Sequence, residues 1–348
     1  MENMAIVITI IVLLFILLAT GLPIFACLGF CGAIGLYWLD GLPGLATVGA
    51  TPFYSVYHFT LIAVPLFIFM GEILNRSQMA AMLYNLGNKW VGGFPGGLAM
   101  ASVVACAIFA AMCGSAIAGA ATIGMIAIPE MTKRGYDKSL ATGTLATAGP
   151  LAILIPPSIV MILYGTIAEV SIGSLFMAGF IPGAILALLM MLYIGIHCTI
   201  NPRLAPKTPH ASWGERFSSL KMLWAPLALI IMVMGSIYGG ITTPTEAAAF
   251  GVIGVLLIST FAYRTLTLRK FWEATLGTIK TTSMIFMIIV CAKIFSHFVI
   301  MAGLAMLLKE TVLGLGPSPY LVLIFLNLIC MVLGCFLDPL GIMYVTLP

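Results

Sequence analysis

The sequence predicts an all-α polytopic membrane protein, and three observations carry that prediction. Hydrophobic residues make up 62% of the 348-residue chain and charged residues only 7%, where soluble domains carry about 25% charged. Mean hydropathy is +1.17. The apolar residues fall in long unbroken runs rather than in alternation, which excludes a β-barrel. A soluble globule of this length could not cover its surface with so few polar residues. A soluble enzyme, a nucleic-acid binder and a disordered chain are therefore excluded. A spanning helix needs about 20 apolar residues, so the length allows on the order of ten crossings.

The apolar runs fall at 4–20, 22–39, 60–74, 97–130, 140–168, 172–200, 222–240, 246–263, 283–308 and 319–348. The first run lacks the basic n-region of a signal peptide and reads as a mature helix. Between the later runs stand Arg76, Lys89, Lys133, Arg134, Lys138, Arg203, Lys207, Arg216, Lys221, Arg264, Arg269, Lys270 and Lys280, which are 13 of the 15 basic residues. The positive-inside rule puts the 201–221 loop in the cytoplasm. One helix out and one back return the chain to the basic 264–280 stretch, and two crossings upstream make 131–138 cytoplasmic too. The N-terminus and the 40–58 loop carry no basic residue and read as external. Trp213, Trp224 and Trp272 flank the basic loops as interfacial anchors. The eight cysteines sit in or beside apolar runs with no histidine at metal-ligand spacing, and read as small packing residues.

Three runs are interrupted, and broken backbone at membrane depth occurs only inside protein or beside a water-filled cavity. The first break is Ala111-Met112-Cys113-Gly114-Ser115-Ala116, midway through a stretch whose two flanks, Lys89 and Lys133, both read as cytoplasmic. An even number of passes is needed there, and a re-entrant hairpin turning at Gly114-Ser115 supplies it. The second is Ile155-Pro156-Pro157-Ser158. Neither proline has an N–H, so the carbonyls of Ala152 and Ile153 lose their helical partners. Discontinuous transporter helices offer such carbonyls to ions like Na⁺. The third is Leu337-Asp338-Pro339, a carboxylate in apolar surroundings, costly unless functional. Packing reads the same residues differently: a Gly-Ser pair is also a close-contact spot between helices, and a double proline is also a kink. Glu246 reads as first-turn acid of a helix capped by Thr245. Lys293 and His297, one turn apart, read as snorkelling side chains or as a functional pair.

A weak internal repeat joins these breaks. Gly92-Gly93-Phe94-Pro95 precedes the first hairpin and Gly314-Leu315-Gly316-Pro317 precedes the last run, 222 residues later. The same offset places Cys113 on Cys335 and Ala116 on Asp338. Lys89 reads as inside and Lys309 as outside, so the halves have opposite orientation, as in inverted-repeat transporters.

At these residues the chain resembles a known family. Val64-Pro65-Leu66-Phe67, Phe94-Pro95-Gly96-Gly97-Leu98-Ala99, Arg134-Gly135-Tyr136-Asp137, Ile153-Leu154-Ile155-Pro156-Pro157-Ser158, Met177-Ala178-Gly179-Phe180-Ile181-Pro182-Gly183 and Thr243-Pro244-Thr245-Glu246-Ala247-Ala248-Ala249 follow one another in that order. Together they resemble the large membrane subunit of tripartite ATP-independent periplasmic (TRAP) transporters, over essentially the whole chain.

The resemblance implies an elevator-type secondary transporter of the bacterial or archaeal inner membrane, with inverted repeats and opposed re-entrant hairpins. It implies Na⁺ as the coupling ion, no cofactor and no enzymatic activity. It also implies two partners, a small four-helix membrane subunit and a periplasmic binding protein that delivers a small carboxylate. Carried over by motif, the sodium ligands are Cys113, Gly114, Ser115, Ala152, Ile155 and Pro156. Ser158 and Asp338 are candidates for the substrate or a second ion. The hairpin tip here lacks two of the hydroxyls common in the family, and Ala152 replaces a common glycine, which leaves backbone oxygens and Ser115 as donors. The implied divisions are N-terminal scaffold helices over 1–58, a first repeat with hairpin and broken helix over 59–170, central scaffold helices over 171–270, and an incomplete second repeat over 271–348. At the repeat offset Pro348 matches position 126, so the second repeat reads as truncated.

Two other readings remain, beside a passive channel, against which the paired breaks argue. A sodium-driven carboxylate carrier of similar hairpin architecture would work without a binding protein. An intramembrane hydrolase would use Ser115 as nucleophile and His297 as base, but no GxSxG elbow accompanies Ser115. The topology is open to direct test: Lys207→Cys and Arg269→Cys should react with an impermeant thiol reagent only from the cytoplasmic side, and Leu45→Cys only from outside. The reverse pattern would refute the orientation.

Overall fold

Helices are the only regular elements among the residues that the computed structural model describes, which are 2–206, 211–304, 318–335, 337 and 339–346. Six helices are long and apolar enough to cross a membrane, or seven if one bent pair is counted as a single span. The runs at 4–20 and 319–348 hold shorter apolar helices, Met4–Ala19 and Tyr320–Leu333. The chain divides into two compact units, Met1–His58 with Thr281–Pro348, and Phe59–Lys280.

The first unit starts with α1 (Glu2–Ala19) and α2 (Ile24–Val56). The segment after residue 40, read from sequence as an external loop, is helical to Val56. Gly41 departs from helical geometry at φ 66° and ψ −138° and bends the helix. Pro43 then falls in the first turn after the bend, where its missing N–H leaves no bond unmade. Glycine and proline here end one helix and start another, a pattern that reads as a loop when taken residue by residue. The basic 264–280 stretch is likewise largely helical, because α13 (Leu268–Met301) begins within it. From Thr281 onward α13 belongs to the first unit, with α14 (Pro319–Leu333) and α15 (Pro339–Thr346).

Glycines at a spacing of three join α2 to α13. A Cβ on Gly29 would stand 2.9 Å from the Cys291 Sγ, and one on Gly32 would stand 2.7 Å from the backbone nitrogen of Phe295. Gly35 lies against the ring of Phe298. Small residues at such a contact let helix backbones approach where no hydrophobic effect drives association. Six of the eight cysteines, Cys291 among them, are buried, in line with their reading as packing residues.

The second unit holds the hairpin. Its helices are α3 (Ala63–Arg76), α4 (Met79–Val91), α5 (Gly97–Cys113), α6 (Ala116–Lys133), α7 (Lys138–Ala148), α8 (Leu151–Leu154), α9 (Ile159–Ile167) and α10 (Ile172–Ile200). They are followed by α11 (Trp213–Tyr238) and α12 (Pro244–Ala262). Helix α5 is the centre of this unit and is buried along nearly its whole length. Gly87 of α4 sits so close to it that a Cβ would stand 2.8 Å from the Ala101 carbonyl oxygen. Helix α12 starts at Pro244 with Thr243, not Thr245, as its cap: the Thr243 hydroxyl accepts from the Glu246 N–H at 3.3 Å, and the Glu246 carboxylate accepts from the Thr243 N–H at 2.8 Å. Thr245 is buried instead. The arrangement is a capping box, which places Pro244 at the first helical position. At the start of α11, the Arg216 guanidinium lies 4.8 Å from the centroid of the Trp213 ring.

Gly32→Ala should destabilise the protein by about 1–3 kcal/mol through overpacking. Gly49→Ala, with nothing within 4 Å of the added Cβ, should not. Thermal unfolding of the two variants in one detergent checks this.

Candidate ion and substrate site

Both interior breaks of the second unit take the form expected of them. Helix α5 stops at Cys113 and α6 starts at Ala116. Gly114 closes α5 in the left-handed region, at φ 62° and ψ 9°, with its N–H on the Ala110 carbonyl at 3.1 Å. Glycine is the residue that takes this conformation without strain. Ser115 then turns extended and caps α6, its hydroxyl accepting from the Ala118 N–H at 3.4 Å and its carbonyl from the Gly119 N–H at 3.0 Å. The buried Cys113 thiol points back at the same carbonyl, 3.7 Å away.

The second break repeats the device. Helix α8 ends at Leu154, and the Ile155 N–H closes it on the Leu151 carbonyl at 2.8 Å. Pro156 and Pro157 follow, and Ser158 caps α9 in nearly the same conformation as Ser115, accepting from the Met161 N–H at 3.4 Å. The axis bends by 43° across the break. Ser158 is fully buried.

The fold then presses the two breaks together. The Ile159 N–H, which an unbroken helix would give to Ile155, donates to the Gly114 carbonyl at 3.4 Å. A Cβ on Gly114 would stand 2.6 Å from the Pro157 carbonyl oxygen. Beside this contact Gly149 leaves no room either: its Cβ would meet Ala120 at 2.9 Å and the Ala116 carbonyl oxygen at 3.1 Å. Cys113, Gly114, Ser115, Ile155, Pro156 and Ser158 thus belong to one junction, with Ala152 buried one turn before it. Asp338 lies outside the described residues, as do the Gly314–Pro317 element and Lys309. Lys293 and His297 are half-buried on α13 in the other unit.

The junction carries no formal charge: residues 113–116 and 155–159 are all neutral. Its polarity comes from backbone. The residues four on from Ala152 and Ile153 are Pro156 and Pro157, which have no N–H to give these carbonyls. Two helix starts meet them, and among the described residues the N–H groups of Ala116, Ile117 and Val160 have no protein acceptor. Freed carbonyl oxygens suit a hard cation, and helix starts suit an anion. Cation and anion acceptors therefore adjoin at one point.

Sequence reasoning missed the support behind this junction. Gly71 of α3 packs on Cys113, where a Cβ would stand 3.1 Å from the Cys113 Cβ. One turn on, Asn75 accepts a hydrogen bond from the Thr122 hydroxyl of α6 at 2.7 Å. On α10, Gly183 lies under Ile155, its Cβ position 2.6 Å from the Ile155 Cγ1. The available signal was a glycine and an amide one turn apart on an apolar helix, a spacing that puts both on one face.

Comparison with known proteins decides the family. Residues 11–348 match the family profile described as tripartite ATP-independent periplasmic transporter, DctM component. The chain belongs to this TRAP family. It is 37% identical to the C4-dicarboxylate TRAP transporter large permease protein DctM of Vibrio cholerae, over 97% of this chain and 79% of that protein. It is 35% identical to the protein of the same name in Pseudomonas aeruginosa, over 92% of this chain and 74% of the relative. It is also 34% identical to the ectoine TRAP transporter large permease protein TeaC of Halomonas elongata, over 95% and 78%. The TRAP permease is thus a multi-pass inner-membrane transport subunit and not an enzyme, which removes the hydrolase reading of Ser115 and His297.

Gly114→Ala should cost about 1–2 kcal/mol from the left-handed backbone alone, and more from the Pro157 contact. Gly143→Ala, in helix α7 with open space around the added Cβ, should be neutral or stabilising by up to about 1 kcal/mol. Thermal stabilities measured side by side check the contrast. Equal effects would mean that the tip is loosely seated.

Proposed function

We propose that this TRAP permease imports a small organic acid by sodium symport, with Na⁺ held where the hairpin tip meets the Pro156-Pro157 break. The observation that carries the reading is the meeting of Gly114 with Pro157 and Ile159, which gathers proline-freed carbonyls and two capped helix starts at one neutral point. The donor set fits the ion: neutral carbonyl and hydroxyl oxygens suit a monovalent hard cation, and no thiol-and-imidazole cluster competes among the described residues. Ala152, Ile155, Pro156 and the 113–115 tip supply the oxygens, with Ser115 contributing through a lone pair not used in capping.

The substrate carboxylate takes the helix starts beside the ion, so each ligand favours the other's binding, and the coupling is reciprocal. Ser158 borders this space, and Asp338, outside the described residues, is kept from the sequence as a candidate for the substrate or a second ion. A periplasmic binding protein delivers the acid, a small membrane subunit supports the permease, and an elevator movement of the hairpin-bearing domain carries the cargo across. Relatives named for C4-dicarboxylate and for ectoine frame the substrate class.

The functional test is uptake of a labelled C4-dicarboxylate by vesicles holding the permease and its small subunit. Uptake should require both Na⁺ outside and added binding protein. Uptake that persists in K⁺ would refute sodium coupling, and uptake without binding protein would make this a self-sufficient carrier.

The site itself predicts a selective defect. The double change Pro156→Ala and Pro157→Ala lets the Ala152 and Ile153 carbonyls rejoin a helix. The purified variant should remain folded but lose the extra thermal stability that Na⁺ gives over K⁺, which is about 2.7 kcal/mol for a site at a hundredfold excess over Kd. Ser115→Ala should lose only part of it. Unchanged sodium stabilisation in the double variant would leave the prolines as kinks.

A further inference from the structure

A concave site lies in the same unit, on the face of α7 away from the hairpin junction. Helices α7 and α10 enclose a cavity of about 510 Å³, a size typical of ligand pockets. One end is polar. Asp137 caps α7 there, accepting from the Ser139 and Leu140 N–H groups at 2.9 and 3.1 Å. Its own N–H is fixed on the Leu204 carbonyl at 2.9 Å, which ties the loop after α10 to the same end. A single oxygen, Oδ1, makes both capping bonds, so the second carboxylate oxygen is available. His197 also lines this end, with a buried Nδ1 that has no partner and its ring stacked on Tyr193 at 5.5 Å.

Away from that end the lining is mostly apolar, with Leu140, Leu189, Met190 and Ile194, but Thr144 and Thr147 of α7 also face it. From Ser139 to Thr147 the cavity follows nine residues of α7, about 12 Å of helix. Its outer wall is α10, whose Leu189 and Tyr193 are 55% and 65% exposed. That helix is one of the six candidate membrane spans, so the α10 side of the cavity lies at membrane depth. Just outside the polar end, Lys138 and Arg203 are exposed, and neither has an ion-pair partner among the described residues. A carboxylate inside the mouth, two free cations on its rim and a greasy channel behind them call for a matching amphiphile: ammonium, then phosphate, then acyl chain. Basic pockets between helices at the cytoplasmic end are a recurrent form of lipid recognition, and the carboxylate adds a requirement for an amine.

We propose that this cavity seats one aminophospholipid of the leaflet on the basic-loop side, with its ammonium on Asp137, its phosphate against Lys138 and Arg203, and an acyl chain between α7 and α10. A quaternary choline headgroup cannot donate a hydrogen bond to Asp137, and a glycerol headgroup carries no positive charge. The site therefore distinguishes phosphatidylethanolamine from phosphatidylcholine and phosphatidylglycerol. It depends on membrane placement and not on the sodium reading.

The test uses the purified 348-residue chain in detergent, with lipids of matched acyl chains added and binding read by thermal shift and native mass spectrometry. Phosphatidylethanolamine should bind about tenfold more tightly than the other two, as expected for one charge-assisted hydrogen bond. Asp137→Asn keeps the capping oxygen but removes the charge, and should abolish the preference. Gly143→Leu, which fills the channel, should abolish bound lipid at this site altogether. Equal binding of the three lipids, or an ethanolamine preference unchanged by Asp137→Asn, would overturn the proposal. So would strongest binding of phosphatidylglycerol, or a full shift from water-soluble glycerophosphoethanolamine.

Discussion

The structure of the second unit depends on one backbone-to-backbone contact, the approach of Gly114 to Pro157. No side chain can stand between them, because a single Cβ at residue 114 would already lie 2.6 Å from the Pro157 carbonyl oxygen. The contact is possible only because each partner ends a helix. Gly114 takes a left-handed conformation that stops α5, and Pro157 belongs to a pair that cannot continue α8. The broken ends then use one another: the Ile159 N–H goes to Gly114, while Ser115 and Ser158 cap the two helices that leave the junction. In hydrocarbon an unpaired backbone group is costly. Such ends persist only where protein, or an ion and its substrate, satisfies them.

Around this contact the packing is built from small residues. Gly71, Gly149 and Gly183 each pack close on the junction, where an added Cβ would stand 3.1 Å from the Cys113 Cβ, 2.9 Å from the Ala120 Cβ and 2.6 Å from the Ile155 Cγ1. Asn75 and Thr122 add a direct hydrogen bond between α3 and the returning arm of the hairpin. The tip is therefore held from behind by α3 and from the side by Gly149 at the end of α7, with its face toward the proline loop, which α10 backs at Ile155. A rigid frame of this kind holds ligand oxygens close to their bound positions before the ligand arrives, which lowers the ordering cost of binding.

The membrane class was fully legible in composition, and the two interior breaks in residue type alone. A Gly-Ser pair in a stretch flanked by lysines that both read as cytoplasmic located the turn of the hairpin, and Pro156-Pro157 located the broken helix. Sequence could not show that these points touch, because 40 residues separate Ser115 from Ile155 and nothing in either carries the other's address. It missed Gly71 and Asn75 because a glycine and an amide near the end of an apolar run look like a helix edge. It mistook 40–58 for a loop because Gly41 and Pro43 are turn residues in isolation, yet here they end one helix and start the next. It named Thr245 as a cap where Thr243 serves, although the spacing from Thr243 to Glu246 is that of a capping box. Asp338 lies outside the described residues, so its placement rests on sequence.

The central claim is that the junction of tip and proline loop is an ion site. The most direct measurement is amide hydrogen exchange of the purified protein as K⁺ is replaced by Na⁺ at constant ionic strength. The account predicts slowed exchange confined to peptides covering residues 114–119 and 158–162, whose N–H groups sit at the junction. Sodium-dependent protection elsewhere, with these two segments unchanged, would contradict it.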